Sequence, residues 1–111
     1  MKEFTVNTKH GKFTGLTLSK SLYVFGGTLS VTLWDKEDDE FATLTINLQD
    51  NSLAENEAYL DTNNCPWAVE FVESNKLGER TGKTKDSGFC TYPLVRFDME
   101  KLNEVCVQMN L

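Results

Sequence analysis

The chain has 111 residues, 40% of them hydrophobic and 25% charged, and its net charge is −6. This length suits one domain spanning residues 1–111, and the composition excludes an intrinsically disordered chain. The charge is uneven: residues 1–34 carry +3, residues 35–75 carry −10 and residues 76–111 carry +1. Because a phosphate backbone is held by clustered Lys and Arg, we expect no direct binding of nucleic acid.

The first third of the chain carries strand signals. Residues 2–6 predict a short edge strand. Apolar residues at Leu16 and Leu18, and then over residues 22–25, predict one or two further strands that end before Gly26. Gly26 is followed by a second glycine, a pair typical of a turn.

A hairpin over residues 28–48 is the clearest structural prediction. Residues 28–34 and residues 41–48 both alternate between apolar and polar side chains, as half-buried strands do. The polar segment between them, residues 35–40, suits the connecting turn. The phase of the second strand predicts that Leu44 and Ile46 point into the core.

The period changes in the second half. Residues 57–61 predict another strand, whereas residues 65–77 have apolar side chains at helical spacing. Those side chains are Ala68, Phe71 and Val72. Asn64 is a suitable N-cap and Gly78 a suitable stop, so the main helix is predicted over about residues 65–77.

The last third predicts a loop, a strand and a short helix. Residues 79–88 are polar and predict a loop, and residues 89–97 predict a strand. Pro93 lacks an amide donor, so that strand should lie at an edge or contain a bulge. Asp98 is a suitable N-cap for a C-terminal helix, although residues 99–109 also fit a strand. Together these elements predict an α+β fold: an antiparallel sheet of about five or six strands, packed against one main helix and a short C-terminal helix.

Two segments resemble functional motifs but depart from them, and one histidine is a candidate base. Residues 78–84 resemble a phosphate-binding loop, but only three residues separate the glycines and a helix precedes them. Residues 61–64 offer oxygen atoms without the spacing of a calcium loop, and a capping turn explains them. His10 is the only histidine and stands in a polar stretch. We therefore assign no catalytic, cofactor-binding or metal-binding residues.

The three cysteines indicate a reducing compartment. Cys65, Cys90 and Cys106 are odd in number and match no zinc-binding pattern. Residues 1–20 contain no apolar run of signal-peptide length, and no segment has the length of a transmembrane helix. We expect a soluble cytoplasmic protein with free thiols and no membrane partner.

The densest charge cluster lies in the predicted hairpin turn. Five of its six residues are acidic: Asp35, Glu37, Asp38, Asp39 and Glu40. One interpretation is a solvated turn. The other is a recognition surface for a basic protein, with a charge that imitates DNA.

Three stretches carry a family resemblance. They are residues 44–48 (LTINL), residues 61–64 (DTNN) and residues 87–93 (SGFCTYP). In these the chain resembles a family of small uncharacterised bacterial proteins that also occurs on phages and other mobile elements. The resemblance covers about residues 22–97. It implies a shared fold and assigns no catalytic residues.

Two functions follow as hypotheses. The first is a non-enzymatic binding protein, an accessory factor of a mobile element, that binds a basic protein partner through the acidic middle segment. The alternative is a small ligand-binding protein or enzyme with a site between the turn of residues 61–64 and the loop of residues 80–87.

Overall fold

The computed structural model describes residues 2–107 and has an α+β fold with two antiparallel sheets of four strands each. The first sheet has the strand order β1-β2-β3-β4, with β1 Phe4–Thr8, β2 Gly11–Leu22, β3 Leu29–Trp34 and β4 Glu40–Thr43. The second has the order β5-β6-β8-β7, with β5 Thr45–Ile46, β6 Glu57–Leu60, β7 Gly78–Ser87 and β8 Cys90–Phe97. The helices are α1 Ala68–Ser74 and α2 Met99–Val105.

The prediction of one sheet is wrong because the predicted strand over residues 41–48 is divided between two sheets. β4 pairs with β3, whereas β5 pairs with β6. Leu44 lies between them: its N–H donates to the carbonyl of Val31, and its carbonyl accepts from the N–H of Asp61, both at 2.8 Å. The chain thus changes partner without a loop, and burial does not alternate across the change, because the consecutive residues Leu44 and Thr45 are both buried.

The core confirms the predicted phase of the hairpin for β3 and Leu44 but not for Ile46. The apolar face of β3 is buried, and Leu44 is completely buried in the main core. Ile46 is half-buried and packs instead against a smaller cluster on the second sheet. The buried members of that cluster are Tyr59, Tyr92 and Leu94. Both sheets therefore contribute to the main core, whereas the smaller cluster is formed by the second sheet and the segment between β5 and β6.

The main helix is shorter than predicted. Residues 66–67 form a turn, α1 begins after Trp67, and no side chain caps its first N–H groups. The predicted cap, Asn64, bonds Asp61 instead. At the other end Lys76 has a left-handed φ of 57°, which stops the helix before Gly78 opens β7. The predicted buried stripe of α1 is confirmed.

The predicted loop over residues 79–88 is wrong, since most of it belongs to β7. This strand lies at the edge of the second sheet with most of its side chains exposed, so it has no apolar alternation to detect. Its neighbour β8 is an interior strand that contains Pro93. The pairing of β7 with β8 shifts between Arg80 and Thr84, so the irregularity lies beside Pro93, but its extra residues belong to β7 and not to the predicted strand.

The two termini agree with the predictions as far as the structure describes them. β1 is an edge strand of the first sheet. The carboxylate of Asp98 accepts the N–H of Lys101 at 3.1 Å and caps α2, so the segment Met99–Val105 is helical. The predicted helix extended to residue 109, and residues 108–111 lie outside the described residues. Across residues 2–107, no helix combines the length and the apolar character that crossing a bilayer requires.

Candidate functional site

The acidic turn, residues 35–40, joins β3 to β4 and is held by its own atoms. One carboxylate oxygen of Asp35 accepts the backbone N–H groups of Glu37 at 2.9 Å and Asp39 at 3.0 Å. The N–H of Asp35 donates to the carbonyl of Asp39 at 2.9 Å. Asp38 adopts a left-handed φ of 63°, which an aspartate tolerates better than most residues. The turn is thus held by hydrogen bonds among its own residues.

The carboxylates of the acidic turn face solvent. Asp35 is half-buried, and the other four acidic residues are exposed. Within residues 2–107 the ion pairs join Arg80 to Glu73 at 3.3 Å and Arg96 to Glu57 at 3.8 Å, and neither involves the acidic turn. The one lysine of the turn, Lys36, extends over Gly15 of β2. The five negative charges therefore lack a cationic partner within the described chain.

Three carboxylates of the acidic turn converge. Oxygen atoms of Asp35, Glu37 and Asp39 all lie within 4.8 Å of one another. Hard cations such as Ca²⁺ prefer oxygen ligands, but Asp35 already uses one oxygen to hold the turn. Exposed acidic side chains often converge in this way without an ion. The arrangement is explained by the turn, and we assign no metal to it.

An aromatic groove lies between the β1–β2 turn and the segment that precedes α1. Its floor is formed by Phe13 of β2, Phe41 of β4 and Trp67, with ring centroids 5.0 Å apart for Phe13 and Phe41 and 6.1 Å for Phe41 and Trp67. The groove has a volume of about 590 Å³. The β1–β2 turn, with Lys9 and His10, forms part of its rim. Phe13 remains 38% exposed, so the floor is open to solvent.

A bulge positions Phe41. Trp34 pairs with Glu40 and Leu33 pairs with Ala42, so Phe41 is an extra residue opposite the β3 ladder. Phe41 directly follows Glu40 in the chain, but the carboxylate of Glu40 accepts from the hydroxyl of Thr43 at 3.2 Å, and no residue of the acidic turn lines the groove.

The turn of residues 61–64 also lines this groove. The carboxylate of Asp61 accepts the backbone N–H of Asn64 at 3.3 Å and its side-chain amide at 2.8 Å, as expected of a turn of short polar side chains. Asn63 and Asn64 lie on the rim with the β1–β2 turn. Residues 80–87 belong to β7, at the far edge of the second sheet. They do not line this groove, so the segment that faces Asn63 and Asn64 across it is the β1–β2 turn and not the predicted loop.

The three cysteines and His10, to which we assign no catalytic role, lie in surroundings that do not activate them. Burial raises the pKa of the Cys65 thiol and of the Cys106 thiol to about 11, which keeps both protonated and poorly nucleophilic. Cys90 is half-buried, and all three cysteines are free. His10 is exposed in the β1–β2 turn, where its backbone N–H donates to the hydroxyl of Thr8 at 3.0 Å.

A hydrogen-bonded loop closure on the second sheet was missed by the sequence reasoning. The hydroxyl of Tyr59 donates to Asp50 at 2.7 Å, and Ser52 donates to the same carboxylate through its N–H and its hydroxyl. The bonds from Ser52 and Tyr59 lower the pKa of Asp50 to about 2. Burial, followed by the bond to Asp50, raises the pKa of Tyr59 to about 12. This set holds a loop rather than a reacting group.

The fold and the candidate site define a small α+β protein with an acidic turn held by its own hydrogen bonds and a separate aromatic groove. The chain belongs to the family described as Domain of unknown function (DUF4313), which matches residues 16–110. This finding agrees with the resemblance to an uncharacterised family. No curated protein and no solved structure shows a significant match to the chain.

Proposed function

We propose that this protein is a non-enzymatic binding protein, an accessory factor of a mobile element, that binds a basic protein through the acidic turn. One observation carries the proposal: within residues 2–107, no cation pairs with the carboxylates of Asp35, Glu37, Asp38, Asp39 and Glu40. We place the protein in the cytoplasm, where its three thiols stay reduced.

The physical argument concerns the purpose of unpaired charge. Like charges crowded on one turn repel each other, and most of them contribute nothing to holding the turn, which depends on Asp35. Such a cluster steers a basic partner during diffusion and fixes its orientation on contact. The same charge repels a phosphate backbone, which supports a protein rather than a nucleic acid as the partner.

The test compares two variants that lose the same charge. The turn variant carries Asp35→Asn, Glu37→Gln, Asp38→Asn and Asp39→Asn. The control variant carries Glu3→Gln, Glu55→Gln, Glu100→Gln and Glu104→Gln, which are exposed and lie outside the acidic turn. Each immobilised protein is incubated with host lysate at low salt, and captured proteins are identified by mass spectrometry.

The expected result is one basic protein that the wild type and the control variant capture and the turn variant loses. Its purified form should bind the turn variant about tenfold more weakly than the wild type at low salt. Equal capture by all three proteins would contradict the proposal, since neither the acidic turn nor net charge would then govern binding.

A second candidate is a small-ligand-binding protein or enzyme, and the aromatic groove favours it. Its volume of about 590 Å³ lies within the range of small-molecule sites, and its rim offers amide groups of Asn63 and Asn64. A small-molecule screen by thermal shift tests this candidate. A hit that loses its stabilising effect in Phe13→Ser would support it.

A further inference from the structure

We infer that the aromatic groove binds a small aromatic anion: a planar ring that packs on the floor and carries one carboxylate or phosphate group towards the β1–β2 turn. This inference rests on the second candidate function, a small-ligand-binding protein, and adds the chemical class of the ligand. It is independent of the acidic turn, none of whose residues lines the groove.

The floor of the groove is suited to a planar ring. The rings of Phe13 and Phe41 are tilted by 54° and those of Phe41 and Trp67 by 43°, so the three rings form one concave aromatic surface. Because Phe13 is 38% exposed, a flat ligand placed over it removes apolar surface from water. At about 590 Å³ the groove admits a bicyclic ring together with a charged substituent.

The charged residues that line the groove are both basic. They are Lys9 and His10, which are exposed next to each other in the β1–β2 turn. Within residues 2–107 neither forms an ion pair, and no Asp or Glu of these residues lines the groove. Lys9 supplies a positive charge and the imidazole of His10 can donate an N–H, so an anionic group can accept from both. A chain with a net charge of −6 thus presents a cationic rim beside an open aromatic floor.

The opposite rim is polar and uncharged. Asn63 is exposed there and can donate or accept a hydrogen bond. Among residues 2–107 the indole N–H of half-buried Trp67 donates to no protein atom, and it is accessible because no buried side-chain nitrogen there lacks a partner. These groups suit polar atoms at the edge of a ring. With cationic groups on one side only, the groove favours a ligand that has its anionic group at one end.

The charge around the groove favours a small anion over a nucleic acid. Phe41, Asn63 and Trp67 belong to the segment of residues 35–75, which carries a charge of −10. An extended phosphate backbone that continued beyond the groove would be repelled by this segment. A single anionic group held at Lys9 avoids that repulsion, since it stays at the cationic rim.

Five small molecules test the inference by NMR titration. Naphthoate has the ring and a carboxylate, and naphthyl phosphate carries the other anionic group. Naphthamide is the neutral counterpart, naphthylmethylammonium carries the opposite charge, and cyclohexanecarboxylate keeps the carboxylate without an aromatic ring. Shifts of the Trp67 indole signal and of the Asn63 side-chain amide signal report binding in the groove.

Matched variants test the two parts of the site. Lys9→Gln removes the charge at the rim, and Lys12→Gln removes the same charge from an exposed lysine of β2 that does not line the groove. Phe13→Ser removes part of the floor, and Phe89→Ser removes an exposed phenylalanine at the β7–β8 hairpin. Thermal unfolding verifies that each variant folds. Phe13→Leu, which keeps an apolar side chain in place of the ring, is a second floor variant.

The two aromatic anions should bind the wild type about fivefold more tightly than naphthamide at low salt, and naphthylmethylammonium should bind more weakly than naphthamide. Lys9→Gln should remove most of this preference for the anion, whereas Lys12→Gln should keep it. Phe13→Ser and Phe13→Leu should weaken the binding of every aromatic probe about threefold or more, because the ring surface is lost. Phe89→Ser should bind all five probes as the wild type does.

The outcomes separate the inference from the second candidate function. Equal binding of naphthoate and naphthamide, or tighter binding of naphthylmethylammonium, would overturn the inference and leave a groove that binds small aromatic molecules. Cyclohexanecarboxylate binding as tightly as naphthoate, or unchanged binding in both Phe13 variants, would overturn it as well. If no probe shifts the groove signals at concentrations up to about 10 mM, the inference and the second candidate function are both contradicted. The proposal for the acidic turn does not depend on any of these results.

Discussion

The two turns at the ends of β3 are built in opposite ways. The acidic turn is polar and is held by Asp35 within the same six residues. The turn of residues 23–28, here called the apolar turn, exposes 92% of Val24 and 74% of Phe25. It is held from outside: Tyr23 donates to the carbonyl of Thr45 at 3.0 Å, and Asn47 donates to the carbonyl of Phe25 at 2.8 Å.

This difference separates local from tertiary control. Side-chain bonds to nearby backbone N–H groups give the acidic turn its shape in any context. The apolar turn depends on hydrogen bonds with Thr45 of β5 and with Asn47, which follows β5. It therefore depends on the arrangement of the two sheets. We therefore expect substitutions in the acidic turn to change binding with little effect on folding, whereas substitutions around the apolar turn should report on the junction between the sheets.

The largest effect should come from Leu44→Ala. This substitution leaves a cavity in the main core where the chain passes from the first sheet to the second, and it should cost about 2–5 kcal/mol of unfolding free energy. Ile46→Ala is the matched control and should cost less, because Ile46 is half-buried in the smaller cluster. Urea denaturation measures both. A larger loss of unfolding free energy for Ile46→Ala would show that the smaller cluster, and not the cluster around Leu44, is the main core.

Loosening the apolar turn should have the next largest effect. Tyr23→Phe and Asn47→Ala each remove hydrogen bonds to it and should each cost about 1 kcal/mol. Amide hydrogen exchange should quicken at Gly27, whose N–H donates within this turn, and stay unchanged at Asp39. Asn51→Ala, at an exposed position, serves as the control. Faster exchange at both sites would mean that the two turns are not independent.

Acid should destabilise the loop that supplies Asn47. The pKa of Asp50 is lowered to about 2 by bonds from Ser52 and Tyr59, below its ordinary value of 3.8. The stabilisation is therefore complete above the ordinary value and is lost as the pH falls from about 4 towards 2. Asp50→Asn should reduce this part of the acid dependence. An unchanged profile of thermal midpoint against pH in Asp50→Asn would contradict the assignment.

The smallest effect should come from neutralising the acidic turn. In the turn variant, the side chain of Asn at position 35 keeps an oxygen that can accept from the backbone N–H groups of positions 37 and 39. The thermal midpoint should therefore stay nearly unchanged, or rise slightly because the repulsion between carboxylates falls. Asp35→Ala alone removes that acceptor and should lower stability by about 1 kcal/mol. A turn variant less stable than Asp35→Ala would mean that the charges themselves hold the turn.

Local signals made part of this structure predictable. The alternation of β3, the buried stripe of α1 and the Asp98 cap of α2 all act over a few residues, and each was predicted. β7 was missed because an exposed edge strand needs no apolar alternation. The division of the second hairpin strand at Leu44 was missed because the apolar and polar residues of the sequence continue to alternate through the change of partner strand.

The candidate site shows the same division. The acidic turn is contiguous in sequence and could be predicted as a charged surface from five side chains. The aromatic groove combines Phe13, Phe41 and Trp67, which only the bulge in β4 and the packing of the two sheets bring together.

The central claim is that the acidic turn binds a basic protein, and the salt dependence of the association rate tests it most directly. The captured partner is mixed with the wild type, the turn variant and the control variant by stopped flow, from about 0.05 to about 0.5 M salt. The rate for the wild type and the control should fall steeply with salt, while the turn variant associates slowly with a shallow dependence. Equal rates and equal slopes for all three proteins would contradict the claim.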